Sequence, residues 1–216
     1  MLTTGLQALA SSKNAPGDLP LFGEAGFPGW LLLFGGPKSL TEAMGDDLKK
    51  GVLAPLFARA ARRWLLLHED GDNSSGEAAA GEADGETAPM DELQAHIAAA
   101  VGGDAEALRV YTFAVDELRG SLRAAAARRG LLDVTDCFAW VYAVLDDFLP
   151  LLRAREPEAV AVFAHFCVLL KPLDAYWWMQ GWADLVMHKA YQLLDQEHRL
   201  WLRWPAEEIG WVPPGP

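Results

Sequence analysis

Cysteine is scarce in this chain, and the two that occur, Cys137 and Cys167, form no CxxC or other metal-spaced pair. Both stand in apolar surroundings that read as helix interiors, so buried structural thiols are expected. Long apolar runs are also missing. Val160 to Leu170 is interrupted by His165 and closed by Lys171-Pro172, well short of the ~20 residues that span a bilayer. Met1 to Ser12 lack the basic start, sustained apolar core and cleavage site of a secretory signal. The expectation is a soluble intracellular protein, of nucleus or cytoplasm, with no membrane span.

Clustered lysine and arginine are lacking as well. The net charge is -12, and nine acidic residues from Glu69 to Glu92 follow one another with no basic residue between them. Displacing counterions from phosphates needs the opposite balance, so no direct nucleic-acid binding by this chain is expected.

Catalytic signatures are absent too. None of the five histidines, His68, His96, His165, His188 and His198, forms HExxH. Asp195-Gln196-Glu197-His198 is a single copy of a pattern that a di-metal bundle needs twice. There is no GxSxG elbow, P-loop or GxGxxG after a strand, and Gly35-Gly36-Pro37-Lys38 lacks the spacing for phosphate capture. Asp146-Asp147 would point about 100° apart on a helix and not converge on one ion. The chain is expected to be no enzyme, with no catalytic residue, no metal and no cofactor.

What is present is apolar and helical. At 216 residues and 51% hydrophobic, the chain is long enough to bury one sizeable core. Residues 1–29 are rich in proline and glycine and read as loop, and Trp30 to Phe34 as the start of a buried helix. Leu40, Met44 and Leu48 share a helical face, and a helix from Leu56 sets Trp64 and Leu65 on one stripe and Arg59, Arg62 and Arg63 on another. Asp70 to Pro89 holds no large apolar residue. It is expected to be a disordered acidic insertion, unable to offset its ordering entropy by burial.

Helices resume at Met90, with Leu93, His96, Ile97 and Ala100 on one face and Gly102-Gly103 as the stop. His96 is expected to be packed and hydrogen-bonded. Asp104 is a cap for the next helix, whose Leu108, Tyr111, Val115, Leu118 and Leu122 keep helical spacing up to Arg128-Arg129-Gly130. Asp133 or Thr135 can cap a third, bearing Phe138, Val141, Tyr142, Leu145 and Phe148 and followed by Pro150.

The last quarter is the most aromatic. Glu156-Pro157-Glu158 is a strong helix start. Ala159 to Leu170 is apolar on every side except His165, so this helix must be enclosed by others. Asp174 can cap the next, in which Trp178 and Trp182 share a face and Gly181 sits in the helix interior. That placement costs about 0.5 to 1 kcal/mol relative to alanine, offset by close packing or by room for a ligand. Glu207-Glu208 fits the first turn of a short terminal helix.

The fold class expected is therefore all-α: a single helical bundle with a buried central helix, an apolar cavity or core, and one disordered acidic insertion. Residues 1–69 would supply N-terminal helices, 70–89 the acidic linker and 90–216 the rest of the bundle.

Glu156 to Ala159, Phe163 to Leu170, Trp177-Trp178-Met179-Gln180-Gly181-Trp182 and Leu194 to Gly210 resemble the C-terminal end of fungal binuclear-zinc-cluster transcription factors of the sterol uptake control type. Gly29-Trp30 through Leu53-Ala54-Pro55-Leu56 is similar to an earlier stretch of the same region. The resemblance implies an all-helical regulatory domain enclosing a sterol or other apolar small molecule, with transcriptional co-regulators as partners and a homodimer as one arrangement. The zinc cluster itself has no counterpart here, since only Cys137 and Cys167 are present. The pocket walls implied are Phe163, Phe166, Cys167, Leu170, Trp177, Trp178, Met179, Gly181 and Trp182. The alternative is a stand-alone interaction or dimerisation module with a filled core.

Overall fold

The computed structural model describes residues 80–127 and 134–215. The expected helices before residue 70, the stop at Gly130 and the cap at Asp133 lie outside the described residues, as do the side chain of Thr135 and residues 70–79 of the acidic stretch. Every regular element among the described residues is helical, as the 3.6-residue periodicity predicts.

The first helix, α1, is Ala80–Val101. It begins ten residues before Met90, so the last part of the acidic stretch is helical backbone rather than linker. Met90, Leu93 and Ile97 are buried on its inner face, while Ala100 is exposed. After Gly102-Gly103, Asp104 caps α2, Ala105–Ala127, its Oδ1 accepting from the Glu106 and Ala107 amides at 3.1 and 3.0 Å. Val110, Tyr111, Ala114, Val115 and Leu118 form the buried stripe.

The third helix, α3, is Val134–Ala154, and it continues through Pro150 instead of ending before it. Exposed Pro150 costs the ladder one donor, and the burial of Phe148 and Leu152 on either side holds the last turn in place. Tyr142, expected on the apolar stripe, is exposed, whereas Trp140 is buried. The Trp140 indole donates from Nε1 to the Ala114 carbonyl at 2.9 Å, tying α3 to α2. Arg155 ends the helix at φ 60°; its amide donates to the Leu152 carbonyl and that of Glu156 to the Leu151 carbonyl. This closes the carbonyls at the end of α3 and aims the chain into the next helix.

That helix, α4, is Pro157–His165, and every residue from Ala159 to His165 is buried. At Phe166 the hydrogen-bonding register tightens, the Leu169 amide donating back to Phe166 at 3.0 Å. The path goes on as α5, Cys167–Leu170, and a 3₁₀ turn, Lys171–Ala175. The enclosed central helix is thus observed, built in three pieces.

The tryptophan segment departs from the sequence expectation. No helix starts at Asp174. Residues 176–181 form turns, and Gly181 adopts φ 80° as the N-cap of α6, Trp182–Leu193. Gly181 is therefore not in a helix interior. An unbroken helix would fan Trp177, Trp178 and Met179 about 100° apart in succession. The turn instead brings Trp178 and Met179 inward together and leaves Trp177 outside. Asp174 secures it by accepting from the Gly181 amide at 2.9 Å, and Lys171 bridges Asp174 and Asp184 at 3.2 and 3.0 Å.

Two short helices finish the chain: α7, Gln196–Trp201, capped by Asp195, and α8, Arg203–Ile209, closed by Gly210 at φ 71°. Glu207 and Glu208 fall in the last turn of α8 rather than in the first turn of a helix, because α8 begins at Arg203. Arg203 reaches Glu207 one turn on, at 3.0 Å. In the assembled fold α2 and α3 pack as a pair with α1 beside them, while α6, α7 and α8 cover the α4–α5 path from its other side.

Candidate functional site

The nine residues singled out as pocket walls are not placed alike. Phe163, Phe166, Cys167, Leu170, Trp178, Met179 and Trp182 are all buried members of one core cluster. Gly181 is half-buried at the mouth of the turn, and Trp177 is 68% exposed, directed away from that cluster.

The centre of the cluster is a set of rings. Phe166 stacks on Trp140 at 4.8 Å and on Phe163 at 5.8 Å, and meets Phe138 edge-on at 6.1 Å. Sequence reasoning misses Trp140. The wide face it shares with Cys137, Val141 and Val144 at spacings of three and four carries the signal. One void that touches this cluster, between Phe163 and the Trp140–Leu152 face of α3, measures about 10 Å³, scarcely the space of one water.

A larger cleft lies elsewhere. About 250 Å³ opens between α2 and the ends of α5 and α8, floored by Met90, Leu122, Ala125, Val168, Leu169 and Trp204. Arg119, Arg123 and Glu208 supply its polar groups. Arg119 donates to Asp116 at 2.6 Å and to Asp91 and Gln94 at 2.8 Å, which fixes α2 to α1. Its Nε is closed to solvent and has no acceptor.

Four histidines are among the described residues, and each lies against a tryptophan of the C-terminal segment. His96 stacks on Trp201 at 5.2 Å, His198 meets the same ring at 4.5 Å, His165 stacks on Trp204 at 5.8 Å and His188 meets Trp211 at 6.4 Å. His96 is packed as expected, but its Nδ1 is buried without a hydrogen-bond partner. His165 is fully enclosed; its Nδ1–H donates to the Ala161 carbonyl at 2.8 Å. Burial pulls its pKa from 6.5 down to about 4, because the charged form has no water to solvate it. His198 contacts Asp195 through Nδ1 at 2.8 Å and faces Glu158 at 3.9 Å.

The cysteines are buried thiols, neither in a disulfide. Cys137 donates to the Leu169 carbonyl at 3.1 Å. Burial, and after it the charge of Asp184, pushes the Cys167 thiol far above its usual range, so no thiolate nucleophile forms there. Asp146 and Asp147 are exposed on α3, with Arg109 3.7 Å from Asp147. Among the described residues no group of three or more His, Cys, Asp or Glu side chains could hold a metal ion, and no helix is long and apolar enough to cross a membrane.

No family model, curated protein or solved structure matches the chain. The class that fold and site define is an all-α protein built round an enclosed central helix, with a buried aromatic cluster and a separate apolar cleft.

Proposed function

We propose that the chain is the regulatory domain of a fungal zinc-cluster transcription factor of the sterol uptake control type, non-catalytic and responsive to an apolar small molecule. One observation supports this above others. The residues that carry the resemblance, Glu156 to Gly210, coincide with one structural unit, the α4–α5 path and the α6, α7 and α8 helices that cover it. The ligand's place in this reading is the cleft beside α5, whose floor is apolar. Filling the cleft would favour the closed arrangement of α2 against α8, and its loss would free that surface for co-regulators.

Lipid extraction and native mass spectrometry of the chain expressed in a fungal host test the proposal. A retained apolar molecule, or a rise in Tm with added sterols, is the expected result. A folded chain that retains nothing and gains no thermal stability from sterols or other small molecules defeats it.

A second reading, a homodimerisation module, draws on the exposed apolar side chains Trp177, Leu200 and Val212, at 68, 75 and 80%. Sedimentation equilibrium decides it: a monomer at all concentrations removes this reading.

A further inference from the structure

Beyond α8 the chain leaves the fold from a fixed point. The Trp211 amide donates to the Ala206 carbonyl at 2.9 Å, which closes the end of α8. The Trp211 ring meets Tyr191 at 5.4 Å and His188 at 6.4 Å, and the Arg199 guanidinium lies over Tyr191 at 4.5 Å. Trp211 is thus half-buried against the core. The next residue is already outside: Val212 is 80% exposed, and Pro213, Pro214 and Gly215 are exposed after it. Among the described residues no hydrogen bond, ion pair or ring contact involves these four.

The sequence nevertheless fixes their shape. The pyrrolidine rings of Pro213 and Pro214 hold φ near −65°, and a residue that precedes proline is kept out of the helical region, which applies to Val212 and Pro213. The conformation left to them is the extended, fully solvated polyproline II helix, and residues 211–215 form neither helix, strand nor turn. That helix has three residues per turn, so prolines three apart share one edge of it. Pro213 and Pro216 have this spacing in the sequence Val212-Pro213-Pro214-Gly215-Pro216.

We infer that residues 212–216 are a docking peptide for a WW-type proline-recognition domain, a small partner whose shallow groove of aromatic rings takes an extended Pro-x-x-Pro segment. Val212-Pro213 fills one slot and Gly215-Pro216 the next. Because the prolines preset the bound shape, little conformational freedom is lost on docking. The flank selects among such grooves. Glu207 and Glu208 are the nearest charged residues, and no lysine or arginine follows Arg203, whose guanidinium is already bridged to Glu207. A groove with an acidic rim, which pairs with a basic flank, is therefore opposed by like charge, and the rim that fits is neutral or basic.

Titration calorimetry of the full chain tests this against a panel of purified WW domains with neutral or basic rims, with acidic-rimmed Src homology 3 domains beside them. At least one WW domain should bind. Pro213→Ala and Pro216→Ala should each weaken that binding about tenfold, the loss of two buried ring methylenes, and deletion of residues 212–216 should abolish it. Every change lies beyond Trp211, the last packed residue, so the Tm of each variant should equal that of the parent. No binding by any member of the panel, or binding that survives the deletion, overturns the inference. Binding confined to the acidic-rimmed domains overturns the choice of partner.

Discussion

Replacing Gly181 by alanine separates two accounts of the tryptophan segment by sign. In a helix interior, alanine is favoured over glycine by about 0.5 to 1 kcal/mol, so the substitution would stabilise the protein. In the structure Gly181 sits at φ 80° and ψ 1°, the left-handed N-cap of α6. An L side chain pays roughly 1–2 kcal/mol there for the approach of its Cβ to the backbone. No further steric penalty is added, because a Cβ built at Gly181 meets nothing within 4 Å. The Gly181 amide can still donate to Asp174, so that bond is kept. Gly181→Ala should therefore destabilise by about 1–2 kcal/mol, a fall in Tm of about 2 to 8 °C for a chain of this length. Gly181→Asn should lose less, since asparagine tolerates this region best among the larger residues. Thermal melts by circular dichroism, with urea titrations on the same three proteins, measure it. An alanine variant as stable as the parent, or more so, refutes the cap geometry and restores a continuous helix through Trp177-Trp178.

Phe166→Ala should cost about 3–5 kcal/mol, because Phe166 is fully buried against Trp140, Phe163 and Phe138. Trp177→Ala should stay within about 0.5 kcal/mol of the parent; urea midpoints read both. For His165 the folded pKa of about 4 lies below the ordinary 6.5, so the unfolded chain binds more protons between those values. The resulting stability is complete above about pH 6.5 and is lost as pH falls towards 4, at about 1.4 kcal/mol per pH unit and roughly 3 kcal/mol in all. His165→Phe should flatten that part of the stability–pH curve relative to the parent. Cys137 and Cys167 should resist a thiol reagent in the native state and react together on unfolding, which absorbance at the reagent's product band follows; rapid native labelling of either contradicts their burial.

Much of the fold was legible because helical burial writes itself into local spacing. The stripe Tyr111, Val115 and Leu118, the cap at Asp104 and the all-round greasiness of Ala159 to His165 each need only neighbours in sequence to be read. The tryptophan segment was not legible in this way. Its composition said that rings would be buried, but which of Trp177 and Trp178 turns inward depends on the backbone at Gly181, and a positive φ has no signature in apolar spacing. Trp140 was legible as buried from its spacing to Cys137 and Val144, but that its indole reaches the Ala114 carbonyl on α2 was not, because that partner is distant in sequence. The cleft was hidden for a similar reason: Met90, Leu122, Val168 and Trp204 come from four elements, and no window of sequence contains them together.

The sequence by itself determined that the chain is helical and that its last quarter must enclose one helix, since period and polarity act over a few residues and tolerate no other arrangement. Only the tertiary structure decided that Phe166 stacks on Trp140 and Phe163, that Trp177 faces outward, and that a cleft opens between α2, α5 and α8. Cavities and paired charges are properties of surfaces brought together by folding, and the distances that create them are absent from the linear chain.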